Sequence, residues 1–469
     1  VKGRGTARRY ARGTLVLLIA LAGLFIAFRT ELARVPFEPI HRLASLSLTD
    51  PTVSSRLFIW RTVSQEAMNR PLLGYGAEHV STPFDRVYDP SVMTEEWFDR
   101  SHNAYLDYFV QFGIGGLLLY LALIALILRT GWRLFKAGNR HGLFLIGIAG
   151  TYAIQNFFVF DTAMTFWLLL ALAATALVQE RAQEAESPFA LGSPRLYLGA
   201  LAAALLLALI IPVSLSPLRA NLLAFEAYQY QVADLPRAKA AAEAGLALNT
   251  YADLEFGYNA YFIYTEEQVH RLTGEDLHSA YTSAALLLTY SFNRYPYDAR
   301  TAVYLAQVLS LAPPGIASDR ALLASALERS IRLSPKRAQP WYILANLSIS
   351  DANAYPAKSE GRAQGYAAAR DLLSRYVALV PTLAAPHFVL AQLLFASGDA
   401  KAAADEAALG KAHYREDLET ARRAAMYYET VLDLKNAAFF LTEVIRLNPS
   451  DTAAADDLRT IQSYEQSKK

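Results

Sequence analysis

Residues 14 to 215 hold apolar runs of bilayer length. Such runs dictate helix, because lipid offers no partner to a backbone N–H or C=O and a helix satisfies both internally. The first run, TLVLLIALAGLFIAF (14–28), is short. A hydrocarbon core of ~30 Å needs about 20 residues, with ~17 as the lower limit, so this span borrows flanking residues. A second span covers about 105–128 and ends in YLALIALIL. The run 143–178 is too long for one helix and is interrupted by Asp161, so it reads as a hairpin of two spans, 143–160 and 163–178. The fifth lies at about 195–215, with Pro212 near its end.

Basic residues cluster in KGRGTARRYAR (2–12) and again at Arg129, Arg133, Lys136 and Arg140. The positive-inside bias makes those ends cytoplasmic. The loop 29–104, the Asp161 turn and everything after about residue 216 are then expected outside, on the periplasmic or extracellular face. The chain opens on Val1 with a basic, membrane-proximal segment, and no small-residue cleavage site follows the apolar run. It therefore reads as cut from something longer rather than as a signal peptide.

From Arg219 onward the pattern changes to Ala-rich helices with a recurring end. LALNT (246–250), IRLSP (331–335), VALVP (377–381) and IRLNP (445–449) each close one. Pro381 and Pro449 stand 68 residues apart, two periods of 34, the tetratricopeptide spacing. Pro335 to Pro381 is one period plus an insertion near 351–362. Trp341-Tyr-Ile-Leu344 matches the first-helix W-x-x-L pattern, and His387-Phe-Val-Leu390 repeats it, while Gly398-Asp399 supplies a turn. Residues 255–295, rich in Tyr and Phe, read as irregular repeats or a capping insertion. The fold expected is all-α: a polytopic membrane domain of about five spans, incomplete at its start, followed by an α-solenoid. The domains are 1–215, with outer loop 29–104, and 216–469 outside the cytoplasm. Repeat arrays carry a concave surface suited to a protein partner.

Composition narrows the function. A net charge of +1, with no basic-aromatic motif, gives no argument for nucleic acid. Without cysteine there are neither disulfides nor thiolate metal sites. No P-loop, dinucleotide fingerprint or nucleophile elbow occurs.

The polar stretch 54–116 is where chemistry is expected. Ser54 or Ser55 can cap a helix starting at Arg56, with Leu57, Trp60, Val63, Ser64, Ala67 and Met68 on one mostly apolar face. Such a helix can lie along the membrane surface. Pro71 ends it, and Gly74 and Gly76 allow a sharp turn. Arg56 would sit at a helix N-terminus, which already favours an anion, and its planar fork grips phosphate through two hydrogen bonds. The plainer alternative is an interfacial arginine. Ser101 is read as the cap of the next helix, with His102 as its first residue. His102 to Val110 is then roughly 12 Å at ~1.5 Å per residue, which sets the imidazole at headgroup level. A helix N-terminus disfavours imidazolium and keeps the ring able to take a proton. An interfacial histidine without a catalytic role is the alternative. Asp85, Asp89, Glu95, Glu96 and Asp99 could ligate a hard cation but are scattered. Asp161 reads as a helix-turn cap or polar hairpin tip, and His79 as an exposed loop residue.

Arg-x-x-x-Trp (Arg56, Trp60), Pro-Leu-x-Gly-x-Gly (Pro71 to Gly76) and His-Asn-x-x-Leu followed by Gly-x-x-Gly (His102 to Gly116) together resemble the O-antigen ligase and polymerase family. The turn Asn156-Phe-Phe-Val-Phe-Asp161 and Lys2-Gly-Arg4-Gly-Thr are similar to that family too, so the resemblance covers about residues 2–180. It implies a glycosyltransferase of the bacterial inner membrane that uses a polyprenyl-diphosphate-linked glycan donor, with no metal or cofactor. The acceptor would be lipid, glycan or protein. On this resemblance Arg56 and Arg4 bind the diphosphate, and His102 helps activate the acceptor hydroxyl. Trp60, Gly74, Gly76 and Asn103 lie with them at the substrate. Five spans are about half of what the family carries. A different class of reading is a noncatalytic membrane scaffold whose repeats recruit envelope assembly proteins; a third is an inactive fragment.

Overall fold

The computed structural model describes residues 13, 16–17, 20–45, 51–93, 95–182, 194–230, 233–264 and 272–467. Among these residues every regular element is helical. The chain divides into two compact units, Val1–Arg61 and Thr62–Lys469. In the first, residues 20–27 are helical. Two short helices follow, α1 (Arg29–Leu32) and α2 (Glu38–Ser45), and they pack together. Arg29 Nε donates to the Ala44 carbonyl at 2.6 Å across that pair. The unit boundary falls inside α3 (Pro51–Ala67).

The second unit begins with a loop carrying one short helix, α4 (Ser81–Val87), and leads into α5 (Ala104–Lys136). The expected hairpin follows as α6 (His141–Gln155) and α7 (Ala163–Ala182), with Asp161 in the connection. These three helices pack on one another around Tyr120, Ile124, Ile127, Leu145, Ala149, Leu169 and Ala173. Their outer faces carry apolar side chains with no protein cover, such as Leu119, Phe144 and Trp167, as a lipid-facing surface requires. Then α8 (Pro194–Ile210) runs through a π-helical turn, Ile211–Leu215, directly into α9 (Ser216–Tyr230). The helix therefore does not stop at Pro212. A single extra residue per turn absorbs the proline's missing N–H and steric bulk, and the helix continues. Among the described residues two helices are long and apolar enough to cross a membrane, Ala104–Lys136 and Tyr197–Tyr230. Ala163–Gln179 is apolar but shorter.

The rest is a ladder of paired helices: α10 (Leu235–Leu246) against α9, α11 (Asp253–Ile263) with α12 (Gly274–Arg294), and α13 (Ala299–Ser310) with α14 (Arg320–Leu333). After these come α15 (Ala338–Asn353) with α16 (Glu360–Leu379), α17 (Ala384–Ala396) with α18 (Ala400–Ala412), α19 (Leu418–Thr430) with α20 (Leu434–Leu447), and α21 (Thr452–Ser467) on α20. The period has a local cause. Asp399 accepts from the Ala402 N–H and Asp433 from the Asn436 N–H, capping α18 and α20 one repeat apart. Asp417 and Asp451 cap α19 and α21 in the same way. Trp341 Nε1 donates to the Pro335 carbonyl at 2.9 Å, and His387 Nε2 does the same to Pro381 at 3.0 Å. The sequence match between those two helices is therefore a match of hydrogen bonds.

Candidate functional site

Two motifs of the polar stretch form a single backbone clasp. Helix α5 is broken at Gly113 (φ +66°, ψ −166°), a conformation open essentially to glycine alone. The break frees the carbonyls of Val110 and Gln111 from the helical ladder. The Tyr75 and Gly76 N–H groups take them up at 2.8 and 2.9 Å. In return Ile114 N–H donates to the Pro71 carbonyl at 2.8 Å. The Gln111 side chain adds an acceptor for Glu78 N–H at 2.7 Å. Pro-Leu-Leu-Gly-Tyr-Gly (71–76) thus threads the gap in α5. A Cβ on Gly113 would lie 2.2 Å from the Leu72 carbonyl oxygen, and one on Gly74 would lie 2.5 Å from that of Val110. Leu72 and Leu73, at the tip, remain strongly exposed.

His102 sits just before this helix, and here the sequence expectation needs correcting. Ser101 is not the cap and His102 is not helical. Asn103 caps α5, accepting from the Leu106 N–H at 3.2 Å. Ser101 is instead buried, and both its N–H and its hydroxyl donate to Asp107 Oδ1, at 2.8 and 2.6 Å. The chain is turned by His102 itself, at φ +55°. An acid one turn into the helix captured Ser101, and the cap role passed two residues on. His102 is half-buried between Phe98 and Phe160, with ring centroids at 5.8 and 5.6 Å. The helix-dipole argument for a neutral ring does not apply to a residue outside the helix. Packing between two aromatic rings restricts the imidazole instead.

A second correction concerns Arg56. Helix α3 already includes Pro51, so Ser54 and Ser55 lie inside it rather than at its start. Arg56 is half-buried in the body of the helix rather than at its N-terminus, and gains nothing there from the free N–H groups. Of the expected apolar face, Val63 and Ala67 are buried in the protein together with Ile59, whereas Leu57 and Met68 are exposed. Trp60 is half-buried on the same helix. Arg4 lies outside the described residues.

Around His102 the loop is held by polar pairings whose partners the sequence did not show. Arg100 pairs with Glu78 at 2.5 Å, which ties the His102 segment to the clasp. Asn156 donates its Nδ2–H to the Tyr120 hydroxyl at 2.8 Å, and its carbonyl accepts from Ala104 N–H at 2.9 Å. Tyr120 in turn bonds Tyr152, whose hydroxyl donates to Asp161, and Asp161 also accepts from Thr165 Oγ1 at 2.6 Å. Asp161 is therefore the anchor of a polar chain at the hairpin tip, in line with the polar-tip reading. His79 is exposed, with Nδ1 2.6 Å from the Ala77 carbonyl.

Three of the scattered acids, Asp85, Asp89 and Asp99, pair with cations on the helical ladder. Asp85, in α4, accepts from Arg337 at 2.6 Å, and both side chains are almost fully enclosed. Burial pushes the Asp85 carboxyl up to about 6, against the downward pull of Arg337. The Arg337 guanidinium lies 3.3 Å from the Trp97 ring centroid and 4.3 Å from that of Tyr88, and it donates to the Glu96 carbonyl at 2.8 Å. Asp89 pairs with Lys336 at 2.5 Å, Asp99 with Arg300 at 2.8 Å, and Glu96 accepts from Gln339 at 2.6 Å. These are long-range pairs, and no local pattern announces them. Since this loop immediately precedes α5 and the ladder follows α9, any membrane crossed between them is crossed an even number of times.

Comparison with known proteins agrees with the motif reading. Residues 3–121 match the family model described as O-antigen ligase. A protein of Rickettsia conorii provisionally named a polysaccharide ligase is 27% identical over 122 residues, covering 25% of this chain and 29% of that protein. One of Rickettsia felis, provisionally named likewise, is 33% identical over 82 residues, covering 16% of this chain and 20% of its own length. The matches thus span less than a third of either curated relative. Among solved structures, a tetratricopeptide-repeat protein of Thermus thermophilus aligns with a TM-score of 0.34 and 14% identity, over 44% of this chain and 98% of its own. Over residues 3–121 this chain is thus similar to the O-antigen ligase family.

Proposed function

We propose that this chain is a membrane glycosyltransferase of the polysaccharide-ligase type, moving a glycan from a polyprenyl diphosphate to an acceptor hydroxyl. The observation that carries the reading is the clasp. The family's Pro-Leu-x-Gly-x-Gly and Gly-x-x-Gly segments are bonded to each other, and the arginine two residues before His102 is tied to the same segment. The exposed Leu72 and Leu73, beside Phe112 and Ile114 on α5, present an apolar edge to which a prenyl chain can lie close.

In the reaction the acceptor oxygen attacks the anomeric carbon and the bond from that carbon to the diphosphate oxygen breaks. The diphosphate leaves with the electron pair. His102 takes the hydroxyl proton, and a general base contributes about 10²–10⁴-fold. Arg56 neutralises the charge that grows on the leaving group, through its guanidinium alone; Arg4, which the basic cluster 2–12 places on the cytoplasmic face, joins it only in a topology that brings that segment to the outer side. The proposed topology keeps five spans, with loop 29–104 and the helical ladder both periplasmic.

The test is transfer from a polyprenyl-diphosphate donor in membranes, with chelator present. His102→Ala and Arg56→Ala each lose most activity at unchanged membrane levels, and Arg56→Lys is not fully active, because an ammonium lacks the planar two-bond grip. His79→Ala is nearly silent. Full activity in both alanine variants would return the chain to a noncatalytic scaffold, and loss of transfer with chelator would bring in a metal.

A further inference from the structure

The reaction does not use the contact between loop 81–99 and the helical ladder, yet a fully enclosed cation has been placed there. Arg337 is fully enclosed, held between two aromatic rings, with Asp85 as its counter-ion. It does not stand alone. Trp97 packs edge-on against Tyr304 at 5.7 Å, Arg300 lies 5.0 Å from the same indole, and Arg415 donates to the Ser91 carbonyl at 2.8 Å. Helices α13 and α15 and the turn before α19 thus each supply a contact, all to one stretch of about twenty residues.

That stretch leads directly to His102. Phe84, next to Asp85, packs on Phe98, next to Trp97, with ring centroids 5.1 Å apart. Phe98 then packs edge-on against the His102 ring. His102 has a left-handed backbone that a non-glycine residue holds only when its surroundings impose it. The surroundings on one side are Phe98, and Phe98 is fixed by what Arg337 grips.

We propose that Arg337, with Lys336 and Arg300, is a latch on the outer loop and a positioning residue for His102, so that the helical ladder is part of the machinery of transfer. The inference rests on the transferase reading above. It gives the ladder a role besides any partner it binds, and it turns the acids Asp85, Asp89 and Asp99 into structural ligands for cations of the chain itself.

The chemistry of the buried pair supplies the test. Arg337→Met keeps the aliphatic stem between the rings but strands the Asp85 carboxylate. Breaking one half of a buried pair costs far more than replacing both halves with apolar groups, so Asp85→Leu combined with Arg337→Met restores a packed, uncharged contact. In Arg337→Met the groups still facing Asp85 from the ladder are Arg300 and Asp298. Its carboxyl, already raised by burial, rises further. An acid whose closed-state pKa exceeds its open-state value favours closure as pH falls, so the loop of this variant closes again between pH 8 and pH 6.

The experiment is done on the full chain in membranes. It follows hydrogen exchange of residues 85–99, relative to the unmodified chain at each pH, alongside kcat and donor KM. Expected is at least tenfold faster exchange and at least tenfold lower kcat in Arg337→Met at pH 8, with donor KM within about threefold. Recovery of both exchange and kcat is expected on lowering the pH and in the double variant. Unchanged exchange in Arg337→Met overturns the latch. Faster exchange with unchanged kcat overturns the positioning role while leaving the transferase reading intact. No transfer by the unmodified chain strikes the transferase reading and the positioning role with it; exchange alone then decides whether the latch exists.

Discussion

The clasp at 71–116 and the repeats at 384–467 are built from the same kinds of parts, glycine turns and aspartates near helix starts, yet they use them differently. In the repeats each part serves a neighbour. Asp399, Asp417, Asp433 and Asp451 all cap their own helices, and Gly398 (φ +89°) turns between helices in open space. In the clasp each part serves something distant in sequence. Gly113 and Gly74 make room for each other's strands of chain across some forty residues, and Asp107 holds the chain that precedes its helix rather than the helix itself. The difference teaches how much a given residue type can cost. A turn glycine in open space can be replaced for the price of its backbone strain, whereas one at a crossing cannot be replaced at all without moving the chain beside it.

The largest effect expected from this contrast is at Gly113. Gly113→Ala sets a Cβ against the Leu72 carbonyl in a glycine-only conformation; backbone strain alone is about 1–3 kcal/mol, and the overlap adds to it. Transfer falls to background, and the slow exchange of the Tyr75 and Gly76 amides is lost. Gly398→Ala meets nothing within 4 Å and costs only about 1–2 kcal/mol, read as a small drop in melting temperature. If the two variants behave alike, the distinction between turn and crossing is wrong.

Next come the acids. Asp107→Ala leaves the buried Ser101 N–H without its acceptor, a loss of about 1–3 kcal/mol, and loosens the His102 segment with a measurable fall in transfer. Asp399→Ala removes one cap, costs about 1 kcal/mol and leaves transfer unchanged. An active Asp107→Ala would show that the segment before α5 is held by other contacts.

A stabilising change is expected at Leu432. It occupies the place of Gly398 one period on, with φ +59° and its side chain exposed. Leu432→Gly removes a left-handed strain of about 1–2 kcal/mol and gives part of it back as unfolded-chain entropy, so the melting temperature rises slightly. A fall would mean that Leu432 packs where the structure leaves it open. The smallest effect is at the exposed Arg459–Asp456 pair, where Asp456→Asn changes neither stability nor transfer measurably, as is usual for solvated ion pairs.

Much of this molecule could be read locally. The helix hairpin around Asp161, the paired helices after Arg219 and the kinship of Trp341 with His387 follow from hydropathy and a 34-residue spacing, because the interactions behind them are made within one or two helices. The motifs of residues 56–116 were also legible as motifs. What they do to the backbone was not. Ser54, Ser55 and Ser101 are reasonable caps by residue type, but the first helix already includes Pro51, and Asp107 drew Ser101 away from the second, leaving Asn103 as the cap. Each outcome turned on a competition between two plausible local partners.

The sequence by itself determined that the segments at about 105–128 and 195–215 are apolar and helical, that the C-terminal half repeats, and that motifs resembling those of the O-antigen ligase family occur in order. Hydropathy and periodicity act over a few residues and survive any change in distant packing. Only the tertiary structure decided that α5 is broken at Gly113 to admit the 71–76 turn, that His102 lies outside the helix between Phe98 and Phe160, and that Asp85 is enclosed with Arg337. A backbone hydrogen bond between residues 75 and 110, or an ion pair between 85 and 337, has no local signature. Its free energy is gained only when folding removes water and brings the two partners within reach.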